Sequence, residues 1–73
     1  MDIGATMKRM REESNLSRPE MAARLNITTG ALWKIEHGKT SPKIGTIKKF
    51  CIDRHVPLSY VIISSLELQD FAY

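Results

Sequence analysis

Ser17–Gly38, SRPEMAARLNITTGALWKIEHG, is the stretch that decides the fold. Ser17 with Glu20 three residues later forms a capping box, and Pro19 suits the first turn of a helix. A helix is therefore predicted to open at Ser17 and run through Met21, Ala22 and Leu25. Asn26 interrupts it, because asparagine tolerates the left-handed backbone of a tight interhelical turn. Ile27 follows as an apolar plug, and Thr28 can cap another helix from about Thr29 to His37. Leu32 and Ile35 face inward on that helix, and Gly38 ends it. Two short helices joined by a turn of roughly three to four residues form the geometry in which a second helix can enter the DNA major groove while the first braces it. Helical hairpins without any DNA function share this outline.

Working outward, Ile3, Met7 and Met10 recur at helical spacing, with Lys8, Arg9 and Glu12 on the other side. They predict a first helix from about Ile3 to Ser14. Downstream, the polar loop Lys39–Thr40–Ser41 leads to Pro42 and a fourth helix with Ile44, Ile47 and Cys51 in register. Val56 and Pro57 introduce a fifth, from about Leu58 to Gln69. The expected fold is all-α, a compact five-helix single domain over residues 1–73.

Composition bounds the function. A chain of 73 residues reads as one domain with a modest core, and dimerisation is a common remedy for so small a core. The low aromatic share, 7%, suits a helical bundle of Leu, Ile and Met better than a β-sandwich. Residues 1–49 carry 10 basic and 5 acidic groups, whereas residues 50–73 carry 1 basic and 3 acidic. The first part can face a polyanion and the last cannot, although a solvated surface with chance asymmetry has the same charge pattern. Cys51 is the single cysteine, so no intramolecular disulfide forms, and it reads as a buried small hydrophobe. His37 and His55 lack partner ligands for a metal site. The apolar run Tyr60–Ile63 is far too short to span a bilayer, and the N-terminus has no secretory h-region. The serines show no base–nucleophile arrangement and no Gly-rich phosphate loop is present. No enzyme, no cofactor and no membrane partner are expected.

The run Ile3–Ile62 resembles the Cro and lambda-repressor type of helix-turn-helix domain, the XRE-like family. The residues that carry the resemblance are Ile3-Gly4, Arg11-Glu12, Leu16-Ser17, Met21-Ala22, Leu25-Asn26-Ile27, Ala31-Leu32, Ile35-Glu36-His37-Gly38-Lys39, Pro42 and Val56-Pro57-Leu58. The small size is similar to that of phage Cro-like repressors and restriction–modification controller proteins. Arg18 departs from the family pattern, which often has Gln there, and Asn26 stands where glycine is usual. Gly30 replaces a long polar base reader. Asp53-Arg54-His55 replaces a small-apolar-Gly sequence, which brings Arg54 to a usually buried position.

The resemblance implies a lambda-repressor-like domain in which the outward face of the third helix meets base edges. Thr29, Gly30, Trp33 and Lys34 are the expected base-reading positions, Gly30 through close backbone approach. Trp33 either touches thymine methyls or sugars or folds back against the core. Ser17, Arg18, Thr28, His37, Lys39, Thr40 and Lys43 are the expected phosphate contacts. Lys39 and Thr40 would use side chains and backbone N–H groups, and His37 also reads as a capping residue. Lys48 and Lys49 read as solvated. Arg11 and Glu36 are expected to pair between the first and third helices. The fifth helix is apolar nearly all round, so it must be covered on more than one side. Leu58 and Ile62 are expected to face its own domain, while Tyr60, Ile63, Leu68 and Phe71 form a homodimer interface.

The function expected is a sequence-specific, cytoplasmic, nucleoid-associated transcriptional regulator of a bacterium or phage. It would bind double-stranded operator DNA as a homodimer and repress by blocking RNA polymerase or activate by contacting it. The alternative is an antitoxin or protein-interaction adaptor that reuses the fold. If the basic part holds phosphates, affinity should fall steeply as salt rises, because counterion release drives binding. Charge removal at Lys39 or Arg18 should then weaken binding to every sequence and flatten the salt slope in gel shifts. Salt-insensitive affinity would contradict the phosphate contacts.

Overall fold

The computed structural model describes the backbone of residues 2–70 and the side chains of residues 2–66. Five helices follow in order: α1 (Ile3–Glu13), α2 (Arg18–Leu25), α3 (Thr29–Glu36), α4 (Ile44–Arg54) and α5 (Leu58–Asp70). No strand occurs among the described residues. Helix α1 packs on α3 and α5, α2 packs on α3 and α4, and α4 packs on α5.

Local chemistry sets the boundaries. Asp2 caps α1 by accepting from the Ala5 N–H at 2.9 Å. The capping box at α2 is complete: Ser17 Oγ accepts from Glu20 N, and Glu20 Oε1 accepts from Ser17 N. Asn26 takes the left-handed conformation (φ 57, ψ 43) and closes α2. The following N–H of Ile27 then reaches back to Ala22 O, so the turn also satisfies a helix-end carbonyl. Thr28 Oγ1 accepts from Ala31 N and caps α3. Helix α3 ends one residue earlier than its apolar pattern suggests, with His37 as the cap and Gly38 (φ 70) turning the chain away. His55 closes α4 at φ 56, the left-handed position that glycine fills at least cost. Asp53 accepts a bond from Arg54 at 3.1 Å, which offsets the charge of a half-buried arginine.

Met7, Met21, Leu25, Leu32, Phe50 and Val61 are fully buried, and burial of each such side chain contributes roughly 1.5–3 kcal/mol. Two expectations from the sequence are corrected here. Ile44 is 59% exposed rather than in the core, and Phe50 fills the place instead. Ile44 is the first residue of α4, and side chains tilt toward a helix N-terminus, so it projects past the packing surface. Within α5, the side chains buried against the domain are Val61, Ser64 and Ser65, while Ile62 is only half-buried and Leu58 is exposed. The hydroxyls of Thr6 and Ser65 share a buried bond of 2.8 Å between α1 and α5, and Ser65 also donates to Val61 O. Each polar atom there has a partner, so a polar stripe can face inward.

Helices α1 and α3 approach closely at Gly4. A Cβ added at Gly4 would overlap the carbonyl oxygen of Ile35, with the carbonyl carbon at 2.9 Å. A Cβ at Gly30, by contrast, would meet nothing within 4 Å. Gly4→Ala is therefore expected to lower stability by about 1–3 kcal/mol. Gly30→Ala is expected to raise it by about 0.5–1 kcal/mol, since alanine is the better helix former. Urea denaturation of the two variants checks the contrast.

Candidate nucleic-acid interface

Glu36, at the last turn of α3, is 6% exposed and carries the geometry of the site. Arg11 from α1 grips its carboxylate as a fork, Nε to Oε2 at 2.7 Å and Nη2 to Oε1 at 3.2 Å. The expected pair is thus present. Arg18, the first residue of α2, adds a third contact, Nε to Oε1 at 2.9 Å. Arg11 also donates Nη1 to Leu16 O at 2.9 Å, which ties in the loop between α1 and α2. Burial pushes the Glu36 carboxyl up, but the bonds and charges of Arg11 and Arg18 outweigh it and hold the group below its ordinary value.

Helix α3 presents its other side to solvent. Thr28, Thr29, Gly30, Trp33, Lys34 and His37 are all exposed. Trp33 does not fold back on the core: it is 41% exposed and stacks on His37, with ring centroids 4.1 Å apart and planes 19° apart. His37 Nδ1 lies 2.9 Å from Trp33 O. A carbonyl oxygen can only accept, so Nδ1 carries the proton.

Lys39, Thr40 and Lys43 are exposed in the loop after α3. Lys39 N and Thr40 N both point back to Lys34 O, at 2.8 and 3.4 Å. Their backbone N–H groups are thus used by the helix end, and only the side chains remain for a phosphate. Ser17 and Thr28 spend an oxygen lone pair on capping but keep an O–H to donate. Arg18, expected as a phosphate contact, has its Nε committed to Glu36 and is half-buried. Between residues 21 and 52 the sequence holds six basic residues and one acidic residue, Glu36. Because Glu36 is buried between two arginines, no acidic side chain from this segment lies on the exposed face.

A helix-turn-helix domain family model matches residues 2–51. The chain belongs to the helix-turn-helix domain family. Among solved structures, that of ClgR, a clp gene regulator from Corynebacterium glutamicum, superposes with a TM-score of 0.84 at 20% identity. The alignment covers 97% of this chain and 79% of that one. No curated protein matches the sequence. In helix-turn-helix terms, α2 is the bracing helix and α3 the second helix of the motif. Four of the proposed site residues sit on the exposed face of this helix. Tyr60 and Ile63 lie elsewhere, exposed on α5. The side chains of Leu68 and Phe71 are outside the described residues.

No periodicity links positions 18 and 36, so the bond of Arg18 to Glu36 has no local signature in the sequence. The visible signal was a lone acid in a basic stretch. Glu36→Gln leaves two arginines without a carboxylate and should cost about 3 kcal/mol. A carboxyl held below its ordinary value contributes stability that is present above about pH 4.5 and lost as pH falls through the folded-state value. Glu20, lowered by its bonds with Ser17, adds in the same direction. Urea melts from pH 7 to 3 should show stability falling in acid, and less steeply in Glu36→Gln.

Proposed function

We propose that this protein is a sequence-specific DNA-binding transcriptional regulator that occupies a double-stranded operator as a homodimer. The observation that carries the proposal is the exposed face of α3, whose C-terminal end is pinned by Glu36 and which lysines flank with no exposed acid from residues 21–52. Thr29, Trp33 and Lys34 are the base readers, and Gly30 lets the backbone approach the groove. A lysine donates to guanine O6 and N7, while a threonine methyl or an aromatic edge packs on a thymine methyl. Ser17, Thr28, His37, Lys39, Thr40 and Lys43 ring this face as phosphate contacts, which fix register without reading sequence. Arg18 can join them only through guanidinium donors other than Nε. Lys39 is therefore the cleaner probe of the salt slope.

The exposed apolar face of α5 supports the dimer. Its inward stripe is largely hydroxyl-bearing, whereas Tyr60, Ile63 and Leu66 are 44%, 54% and 43% exposed. An apolar outer stripe on a helix already packed on its own domain calls for a partner. A second copy related by a two-fold axis supplies the same stripe and sets two α3 helices about one DNA turn, roughly 34 Å, apart. The occupied operator then either excludes RNA polymerase or presents the domain to it, inside the cell.

Two variants test the assignment. Lys34→Ala should cost about 1–3 kcal/mol on the preferred site and relax selection at one base pair. Identical motifs selected by the wild type and Lys34→Ala would falsify base reading by this residue. Ile63→Asp should sediment as a monomer and bind DNA weakly. A wild type that is monomeric at tens of micromolar, where interfaces of standard size normally hold, would remove the dimer.

A further inference from the structure

Trp33 and His37 sit one helical turn apart on the exposed side of α3, the spacing at which side chains meet. Their rings are nearly parallel at 4.1 Å, and His37 is joined a second time to residue 33 through Nδ1 and the Trp33 carbonyl. The neighbouring residue, Glu36, anchors the same helix end to Arg11 and Arg18. Gly38 then turns the chain away at φ 70. The imidazole is thus fixed on both sides in sequence, and it holds the indole against one of its faces.

We infer that His37 is a positioning residue for Trp33: the stack fixes the indole in one pose, and that pose gives the domain its preference at one base pair. The inference rests on α3 being the DNA-reading helix. A tryptophan on a helix surface ordinarily samples several rotamers, and ordering it on binding opposes association. Stacking on His37 meets that cost in the free protein. It also makes one edge of the indole, rather than an average over rotamers, the surface that meets a base. His37 has no competing interaction with the acid beside it, because both Glu36 oxygens are taken by arginines. Burial in the core does not account for the contact either, since both residues are exposed. The pairing needs a flat ring at position 37 rather than a charge, which separates it from a phosphate contact by the same side chain.

Selection of bound duplexes from a random pool, with affinities on the selected site, tests this in the wild type, Trp33→Ala, His37→Ala and His37→Phe. Trp33→Ala and His37→Ala are expected to lose preference at the same base pair. His37→Ala should weaken binding to the selected site by about threefold to tenfold, the range for freeing one side chain. His37→Phe keeps a ring to stack and should keep the preference, whatever it loses in overall affinity. Trp33 is the single tryptophan, so fluorescence anisotropy reports its motion directly. It should be more mobile in His37→Ala and as restrained as the wild type in His37→Phe. The proposal is overturned if His37→Ala selects the wild-type motif, if Trp33→Ala does so, or if His37→Phe loses the preference as His37→Ala does. A wild type that binds DNA but selects no motif would overturn it too. That result would also remove sequence specificity from the proposed function, and a wild type that binds no DNA would remove the proposed function whole, whereas the His37 outcomes overturn this inference alone.

Discussion

The Glu36 carboxylate is buried, ionised and shared by arginines from two other helices, and the arrangement of α1, α2 and α3 depends on it. A buried carboxylate is costly unless its oxygens are bonded. Oε1 takes Arg11 and Arg18 while Oε2 takes Arg11. Arg11 is planar and forked, so it fixes direction as well as distance. Its remaining bond to Leu16 O fixes the chain entering α2. The steric half of the same constraint lies one residue away, where Gly4 admits the carbonyl of Ile35. The ion pair draws α3 toward α1, and the missing side chain allows the approach. Neither alone would define the angle at which α3 leaves the domain.

That constraint also decides the electrostatics of the exposed face. Glu36 is the one acid in a long basic stretch, and it is turned inward between two cations. Lys34, Lys39 and Lys43 are left on the solvent side without a carboxylate from the same segment. A charge placed for structural reasons thereby adds no carboxylate to the exposed side of this segment. Arg18 belongs to both sets, since it is half-exposed and yet bonded to Glu36. Its position as the first residue of α2 is set by the Ser17–Glu20 capping box, so local capping chemistry delivers a long-range ion pair.

Much of the fold was legible because its signals are local. The Ser17–Glu20 box, Asn26 in the turn, Thr28 as a cap and Gly38 after α3 each act within a few residues, and each appears where the sequence places it. The Arg11–Glu36 pair was legible only through family resemblance, being 25 residues apart. Other features need three dimensions. The Arg18–Glu36 bond, the hydroxyl pair of Thr6 and Ser65, and the place of Phe50 in the core depend on how helices dock. Ile44 misled because an apolar residue in register is not buried at the very start of a helix. The orientation of Trp33 was open from sequence, since the same helix face accommodates a residue folded inward or outward. Its stack on His37 needed coordinates.

Helix α5 shows how a small domain distributes its apolar residues. An ordinary surface helix turns its large apolar side chains inward and its polar ones outward. Here Ser64 and Ser65 are buried, while Tyr60, Ile63 and Leu66 face out. Val61 is the large side chain that α5 buries completely among those described. The Thr6–Ser65 bond links α1 to α5, and each hydroxyl also reaches a carbonyl one turn back, Asp2 O for Thr6 and Val61 O for Ser65. It supplies little net driving force, since both hydroxyls are equally well bonded in water. Helix α5 thus meets the domain through Val61 and two serines rather than through its larger apolar side chains. In the proposed dimer, the missing apolar burial comes from the opposite face. Burial of Val61, Ser64 and Ser65 on the inner side leaves Tyr60, Ile63 and Leu66 as the residues that face presents.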